Sequence, residues 1–203
     1  MVRHLSNAIS WIMHPLWMPF YLFITLALHA PGFIGDNIPG ITLSVIVLVM
    51  TGILPAFNLI LFKILGTIPD LRLAERKDRI MPFMFITMIY AGVTYLFYDQ
   101  YPIPSAFKLL LLTAAASMTA AILTLFLKVS VHALSASAVA STLLFVEASP
   151  AGGDLFWPAL LAVVLGGLVM SARLYLNAHS LKEVIAGSLT GIFFAIAGEL
   201  LLF

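Results

Sequence analysis

The chain contains no cysteine, which excludes a disulfide framework, a thiolate metal site and a cysteine nucleophile, and leaves the redox compartment unmarked. Charge is nearly as scarce. Only 9% of the 203 residues are Asp, Glu, Lys or Arg, against about 25% in an ordinary soluble domain. Also missing are a Walker-type glycine loop for a nucleotide, a group of carboxylates for a two-metal site, any repeat of period 20 to 50 residues and any low-complexity tract. One domain covering residues 1–203 is expected. What remains is apolar: 62% of residues are hydrophobic and the mean hydropathy is +1.10. A spanning helix takes about 20 residues, so several of them fill the chain and leave no room for a separate soluble domain. The composition is that of an integral membrane protein.

Arg3 and His4 precede an apolar run, but it continues through Pro15 and Pro19 without a small-residue cleavage site, so it reads as the first membrane segment. Hydropathy punctuated by Pro, Gly and charge predicts helices at about 11–30, 41–64, 81–99, 107–127, 131–148, 156–176 and 183–203. The run from Phe107 to Ala148 is twice a spanning length and folds into a hairpin at its one interruption, Lys128-Val129-Ser130-Val131-His132. The expected fold class is all-α, a polytopic membrane helix bundle of six to seven transmembrane helices.

Parity gathers the polar residues. With seven helices, the segment from Pro69 to Pro82, the interruption at Lys128 to His132 and the stretch from Arg173 to Glu183 all emerge on one membrane face. The connections on the other face, PGFIGDNIPG, DQYPIPSAF and EASPAGGD, hold acids, Pro and Gly but one basic residue, Lys108. Nine of the ten Lys and Arg residues therefore lie on the polar-cluster face, which by the positive-inside rule is the cytoplasmic one. Setting aside those that could bind a ligand leaves the same bias in weaker form.

Each cluster has a plain structural explanation beside a chemical one. Arg72, Arg76, Lys77 and Arg79 read as a membrane anchor by the same rule, with Asp70, Glu75 and Asp78 offsetting part of the charge. Ser130 suits the cap of the fifth helix, whose N-terminus also offers free N–H groups to an anion; His132 is next to it. Arg173 falls within the end of the sixth helix, where an ionisable side chain either snorkels or serves a function. Glu183 lies four residues after His179. On a helix that spacing places both on one face, so the carboxylate can accept from one ring nitrogen and leave the other as a nucleophile. Two histidines, a carboxylate, a serine and several cations on one face are what hydrolysis of a phosphate ester through a phosphohistidine needs. The cations would supply what a metal supplies elsewhere.

The spacing Arg173-x5-His179-x3-Glu183, preceded by Ser171, resembles the third signature of the type 2 phosphatidic acid phosphatase (PAP2) superfamily, Ser-Arg-x5-His-x3-Asp. Ser130-Val-His132 resembles the second, Pro-Ser-Gly-His, and Arg72-x6-Arg79 the first, Lys-x6-Arg-Pro; the order along the chain is also the family's. HPLWMP and KVSVHA look like a small bacterial branch. The sequence departs from the pattern where Arg72 replaces lysine, where Ile80 and Met81 separate Arg79 from Pro82, where the second signature lacks Pro and Gly, where Glu183 replaces Asp, and where Ala172 separates Ser171 from Arg173. The resemblance implies a membrane lipid phosphatase in which His179 attacks phosphorus, Glu183 orients it, and His132 protonates the leaving alkoxide and later activates water. Arg79, Arg173, Ser130 and Arg72 or Lys128 would hold the phosphoryl oxygens. It implies a lipid phosphate as substrate, the bilayer as surroundings, no metal, no cofactor and no nucleic acid, in a bacterial inner membrane. The degraded second signature motivates an alternative, a non-catalytic lipid-phosphate binding or translocating protein. Elsewhere Trp11, Trp17 and Trp157 suit interfacial belts, Gly187-x3-Gly191 suits close helix packing, and His4, His14 and His29 read as interfacial polar residues, His14 by parity on the site face.

Overall fold

Apolar runs with no partner for their backbone except themselves must become helices in a bilayer, and the chain does so throughout. The computed structural model describes residues 1–34, 38–99, 104–150 and 153–202. Among these, seven segments are long and apolar enough to cross a membrane: Val2–His29, Gly40–Ile64, Lys77–Asp99, Pro104–Thr124, Val131–Ala148, Phe156–Tyr175 and Leu181–Leu202. The bundle is the expected all-α one, and the hairpin at Lys128 to His132 is there. Parts of all three connections assigned to the opposite face, and the last residue of the expected seventh helix, lie outside the described residues.

The first two spans are interrupted. The first consists of α1 (Val2–Ile12), a 3-10 turn (Pro15–Trp17) and α2 (Met18–His29), where one helix from about residue 11 was expected. α1 turns Leu5, Trp11 and Ile12 outward and buries Ser6 and Ser10; the Ser10 hydroxyl needs no outside partner, since its Oγ donates to the Ser6 carbonyl at 2.9 Å. Pro15 lacks an N–H and sits where an α-helix would need one, so the helix stops before it. After the short α3 (Pro31–Ile34), the second span runs through α4 (Gly40–Val47), a π-helical turn (Leu48–Ile53) and α5 (Leu54–Ile64). The two irregularities fit each other. Trp17 lies against Gly52, where a Cβ would come within 2.9 Å of the indole Cζ3, and the Tyr90 hydroxyl donates to the Thr51 carbonyl at 3.0 Å. Trp17 is thus half-buried against the second span, whereas Trp11 and Trp157 are 70% and 68% exposed.

The remaining spans are α6 (Lys77–Asp99), α7 (Pro104–Thr124), α8 (Val131–Ala148), α9 (Phe156–Tyr175) and α10 (Leu181–Leu202). α8 is central, packing against α10, α9 and α2, while α6 pairs with α7 and α1 lies along α9. Small residues bring α8 and α10 close. A Cβ on Gly187 would strike the Ser130 carbonyl oxygen and one on Gly191 that of Leu134, so the helices meet backbone to backbone as the Gly-x3-Gly spacing predicts. The main apolar core, around Phe23, Leu26, Leu43, Leu110, Leu143 and Leu155, fills the end of the bundle away from the polar clusters. Large side chains such as Met88, Leu189 and Phe193 are 61–66% exposed, as a lipid-facing surface requires. Burial at one end leaves the other free to be polar.

Candidate active site

Backbone contacts draw the three polar clusters together. The Ser130 N–H donates to the Glu183 carbonyl at 3.1 Å, tying the start of α8 to the start of α10. Arg79, only 5% exposed, donates from Nε to the Leu73 carbonyl at 2.8 Å and from Nη1 to the Val129 carbonyl at 3.2 Å, joining the first cluster to the second. Leu73 adopts a left-handed φ of 48°, an unusual conformation for a residue with a Cβ. Its buried side chain and the Arg79 bond hold it there. Arg76 adds a surface link, Nη1 to the Phe126 carbonyl at 2.9 Å, and Lys77 pairs with Glu75 at 3.1 Å with both side chains exposed.

His179 is the best-constrained side chain of the group. Its Nδ1 lies 2.9 Å from Glu183 Oε2 and 3.2 Å from the Lys128 carbonyl oxygen. A carbonyl only accepts, so Nδ1 carries the hydrogen and Nε2 keeps a free lone pair. Glu183 is fixed in turn. Its Oε2 accepts the Ser180 N–H at 3.1 Å while its own N–H donates to Ser180 Oγ at 3.4 Å, a capping box Ser180-x-x-Glu183 that starts α10. This pattern is legible in the sequence and explains why α10 begins at Leu181, two residues before the expected 183. Burial foremost, then the Arg79 cation, lowers the His179 pKa to about 4, and the Glu183 hydrogen bond only partly opposes them. The contact is therefore a carboxylate holding a neutral imidazole, and no ion pair.

A cavity of about 200 Å³ opens beside these groups, and Arg72, Arg79, His132, Arg173 and His179 all line it. Arg173 Nε is buried with no protein partner among the described residues, a donor left without an acceptor in a low-dielectric site. His132 is buried, and its Nε2 lies 3.1 Å from the Ser10 carbonyl oxygen; that nitrogen must donate, which leaves Nδ1 for chemistry. Three expected site residues stand differently. Ser130 is wholly buried and its Oγ caps α8 by accepting the Ala133 N–H at 3.4 Å; it does not line the cavity. Lys128 does not line it either. Its backbone carbonyl orients His179, and its ammonium pKa is lowered by burial and then by Arg79, with Glu183 opposing. Glu183 acts from behind His179.

His14 also lines the cavity, on the face where parity places it, although the sequence assigns it no part in the site. The helix break sets its depth: Met13 packs with Ala136 and Val169, and Val169 is six residues inside the end of α9, about 9 Å along the axis. The cavity then continues between α2, α6, α7 and α8 past Leu22, Ile86, Leu109 and Val139. From Arg79 to Tyr90 on α6, and from His132 to Thr142 on α8, the lining covers 10 to 11 residues. At 1.5 Å per residue that is about 15 Å, half the hydrocarbon thickness of a bilayer.

Comparison with known proteins bears on the same residues. Residues 113–201 match the PAP2 superfamily. The matched span holds the second and third signatures and begins after the first, so the family read from Ser130 to His132 and Arg173 to Glu183 is the one found. The PAP2 region relates the chain to a superfamily of phosphatases. No curated protein and no solved structure matches the chain.

Proposed function

We propose that this protein hydrolyses the phosphate ester or pyrophosphate of a membrane lipid through a phosphohistidine on His179. The observation that carries the reading is the two-part cavity, about one leaflet deep, with cations and histidines at one end and a mainly apolar lining at the other. A phosphorylated lipid has the same division, and its chain would leave the phosphate among Arg72, Arg79 and Arg173. Nε2 of His179 would attack phosphorus in line with the lipid oxygen. The N–P bond forms as the P–O bond breaks, and His132, entering the reaction as an imidazolium with hydrogens on both ring nitrogens, gives its Nδ1 proton to the departing alkoxide and becomes neutral. Neutral His132 then takes a proton from water as the new P–O bond displaces His179 and frees phosphate. A phosphoryl group carries its charge on oxygens that three guanidiniums can bind in forked fashion.

The substrate class is tested by measuring inorganic phosphate released by detergent-purified protein from phosphatidate, phosphatidylglycerophosphate and a polyprenyl phosphate. Release from at least one and its loss in His179→Ala is the expected result; no release by folded wild-type protein from any of them refutes the reading. A second reading is favoured by one observation: the second signature supplies His132 as its one polar side chain in the cavity, because Ser130 is spent on a helix cap. On that reading the protein binds or moves a lipid phosphate without turnover, and trapping phosphate on His179 during turnover separates the two. We infer a site on the cytoplasmic face, a reading supported by the nine-to-one distribution of Lys and Arg; a bacterial inner membrane is what the family resemblance implies.

A further inference from the structure

His14 occupies the break in the first span and has no part in the reaction as written above. Its Nδ1 accepts the Leu16 N–H at 3.3 Å, capping the turn Pro15–Trp17. A ring nitrogen that accepts carries no hydrogen, so the neutral ring has its proton on Nε2. Among the described residues no hydrogen bond engages that nitrogen, and the ring lines the cavity. It stands edge-on to His132, with centroids 5.6 Å apart and planes at 80°.

The two rings present complementary nitrogens. His132 has Nε2–H committed to the Ser10 carbonyl and Nδ1 available; His14 has Nδ1 committed and Nε2–H available. The 5.6 Å separation leaves room for one oxygen atom about 2.8 Å from a nitrogen of each ring, accepting from His14 Nε2–H and, when His132 is the imidazolium, from its Nδ1–H. The placement is built from several elements. Pro15 forces the break, Gly52 in the π turn clears the space Trp17 fills, and the Tyr90 hydroxyl satisfies the Thr51 carbonyl there. An irregular backbone inside a membrane protein is tolerated where it lines a cavity, and this one places an imidazole N–H in it.

We propose that His14 is a further catalytic residue, whose Nε2–H donates a hydrogen bond to the lipid oxygen that His132 protonates as the phosphate is transferred to His179. The proposal rests on the lipid phosphatase reading and deepens it. No proton leaves His14. As the P–O bond breaks, negative charge grows on the leaving oxygen; the His14 hydrogen bond stabilises it while the proton arrives from His132 Nδ1. Such help matters for an alkoxide, which is a poor leaving group, and little for a nitrophenolate, which departs unaided.

The experiment separates this role from the capping role. Asn is a good capping residue, and its side-chain oxygen can accept the Leu16 N–H in place of Nδ1, so His14→Asn keeps the turn and removes the ring donor. The single-turnover rate of phosphoenzyme formation is measured for wild type and His14→Asn, on the lipid phosphate that wild type turns over in the screen above and on p-nitrophenyl phosphate. The expected loss is about tenfold or more on the lipid and no more than about twofold on the nitrophenyl ester, with part of the lipid rate restored in His14→Gln, whose longer side chain can bring an amide N–H to the position of Nε2, which the shorter Asn amide does not reach. Equal losses on both substrates, or a lipid rate within twofold of wild type, overturn the proposal. A wild-type protein that forms no phosphoenzyme overturns the phosphatase reading itself, and does so before any variant is made. Should His14→Asn fail to fold, His14→Ser, which also caps, replaces it in the same comparison.

Discussion

Substituting Glu183 by Gln tests the core of the site, because it changes charge and little else. Gln at this position still completes the capping box with Ser180, so α10 stays anchored. His179 keeps its second acceptor, the Lys128 carbonyl at 3.2 Å, which still demands a hydrogen on Nδ1 and so leaves Nε2 as the nucleophile. What is lost is the negative charge behind a ring that becomes positive when it is phosphorylated. A hydrogen bond to a charged group contributes about 1.5–3 kcal/mol and a neutral one about 0.5–1.5, so the difference is about 1–2 kcal/mol. At 1.4 kcal/mol per tenfold, phosphoenzyme formation should slow about 5- to 30-fold, with KM and melting temperature close to wild type. Glu183→Ala should lose the cap as well, at about 0.5–2 kcal/mol of stability. Phosphate release and thermal melting in detergent give both quantities. A Gln variant within twofold of wild type would refute an orienting charge. A loss above about a thousandfold would refute the claim that the Lys128 carbonyl holds the tautomer, since a wrong tautomer in a comparable triad costs about 10⁴.

Three further outcomes follow from particular contacts. Because the folded His179 pKa is lowered to about 4 from 6.5, the unfolded chain binds the extra proton between those values. The contribution of neutral His179 to stability is complete above pH 6.5 and is lost as pH falls towards 4; wild type should lose melting temperature over that window more steeply than His179→Asn, and parallel curves would refute the assignment. Gly191→Ala puts a methyl against the Leu134 carbonyl and should destabilise the α8 to α10 contact by about 1–3 kcal/mol, read as a lower melting temperature, whereas the same change at Gly167, where nothing lies within 4 Å, should not. The absence of native cysteine lets a single Glu75→Cys, 65% exposed at its side chain, report sidedness. A membrane-impermeant maleimide should label it in inverted inner-membrane vesicles and leave it unlabelled in intact spheroplasts; the opposite pattern would place the site outside.

Much of the bundle is a consequence of composition. An apolar chain in a bilayer has to satisfy its own N–H and C=O groups, so hydropathy and the charged interruptions suffice to predict seven spans and to bring Arg72 to Arg79, Lys128 to His132 and Arg173 to Glu183 to one end. The i, i+4 spacing of His179 and Glu183 likewise predicts a contact, and it forms at 2.9 Å, although His179 stands in the bend before α10 and the capping box with Ser180 is what turns Glu183 back towards it. Signals of that kind are local, and local signals survive without knowledge of the neighbours.

Other features depend on contacts between distant segments. That the Val129 carbonyl anchors Arg79, that the Lys128 carbonyl sets the tautomer of His179, and that the Ser10 carbonyl holds His132 all involve backbone oxygens, which every residue carries and no residue type reveals. Ser130 is compatible with capping or with phosphate binding until its burial and its bond to Ala133 decide between them. His14 followed by Pro15 marks a helix break in the sequence, but only the packing of Trp17 against Gly52 turns the ring to the cavity. The sequence by itself determined the medium, the helices and the residues able to do chemistry, because hydrophobicity and helical period are properties of a segment. Which nitrogen of each histidine is free, and which cation faces the cavity, was decided by tertiary structure alone, because a hydrogen bond belongs to two partners that the chain may keep 122 residues apart.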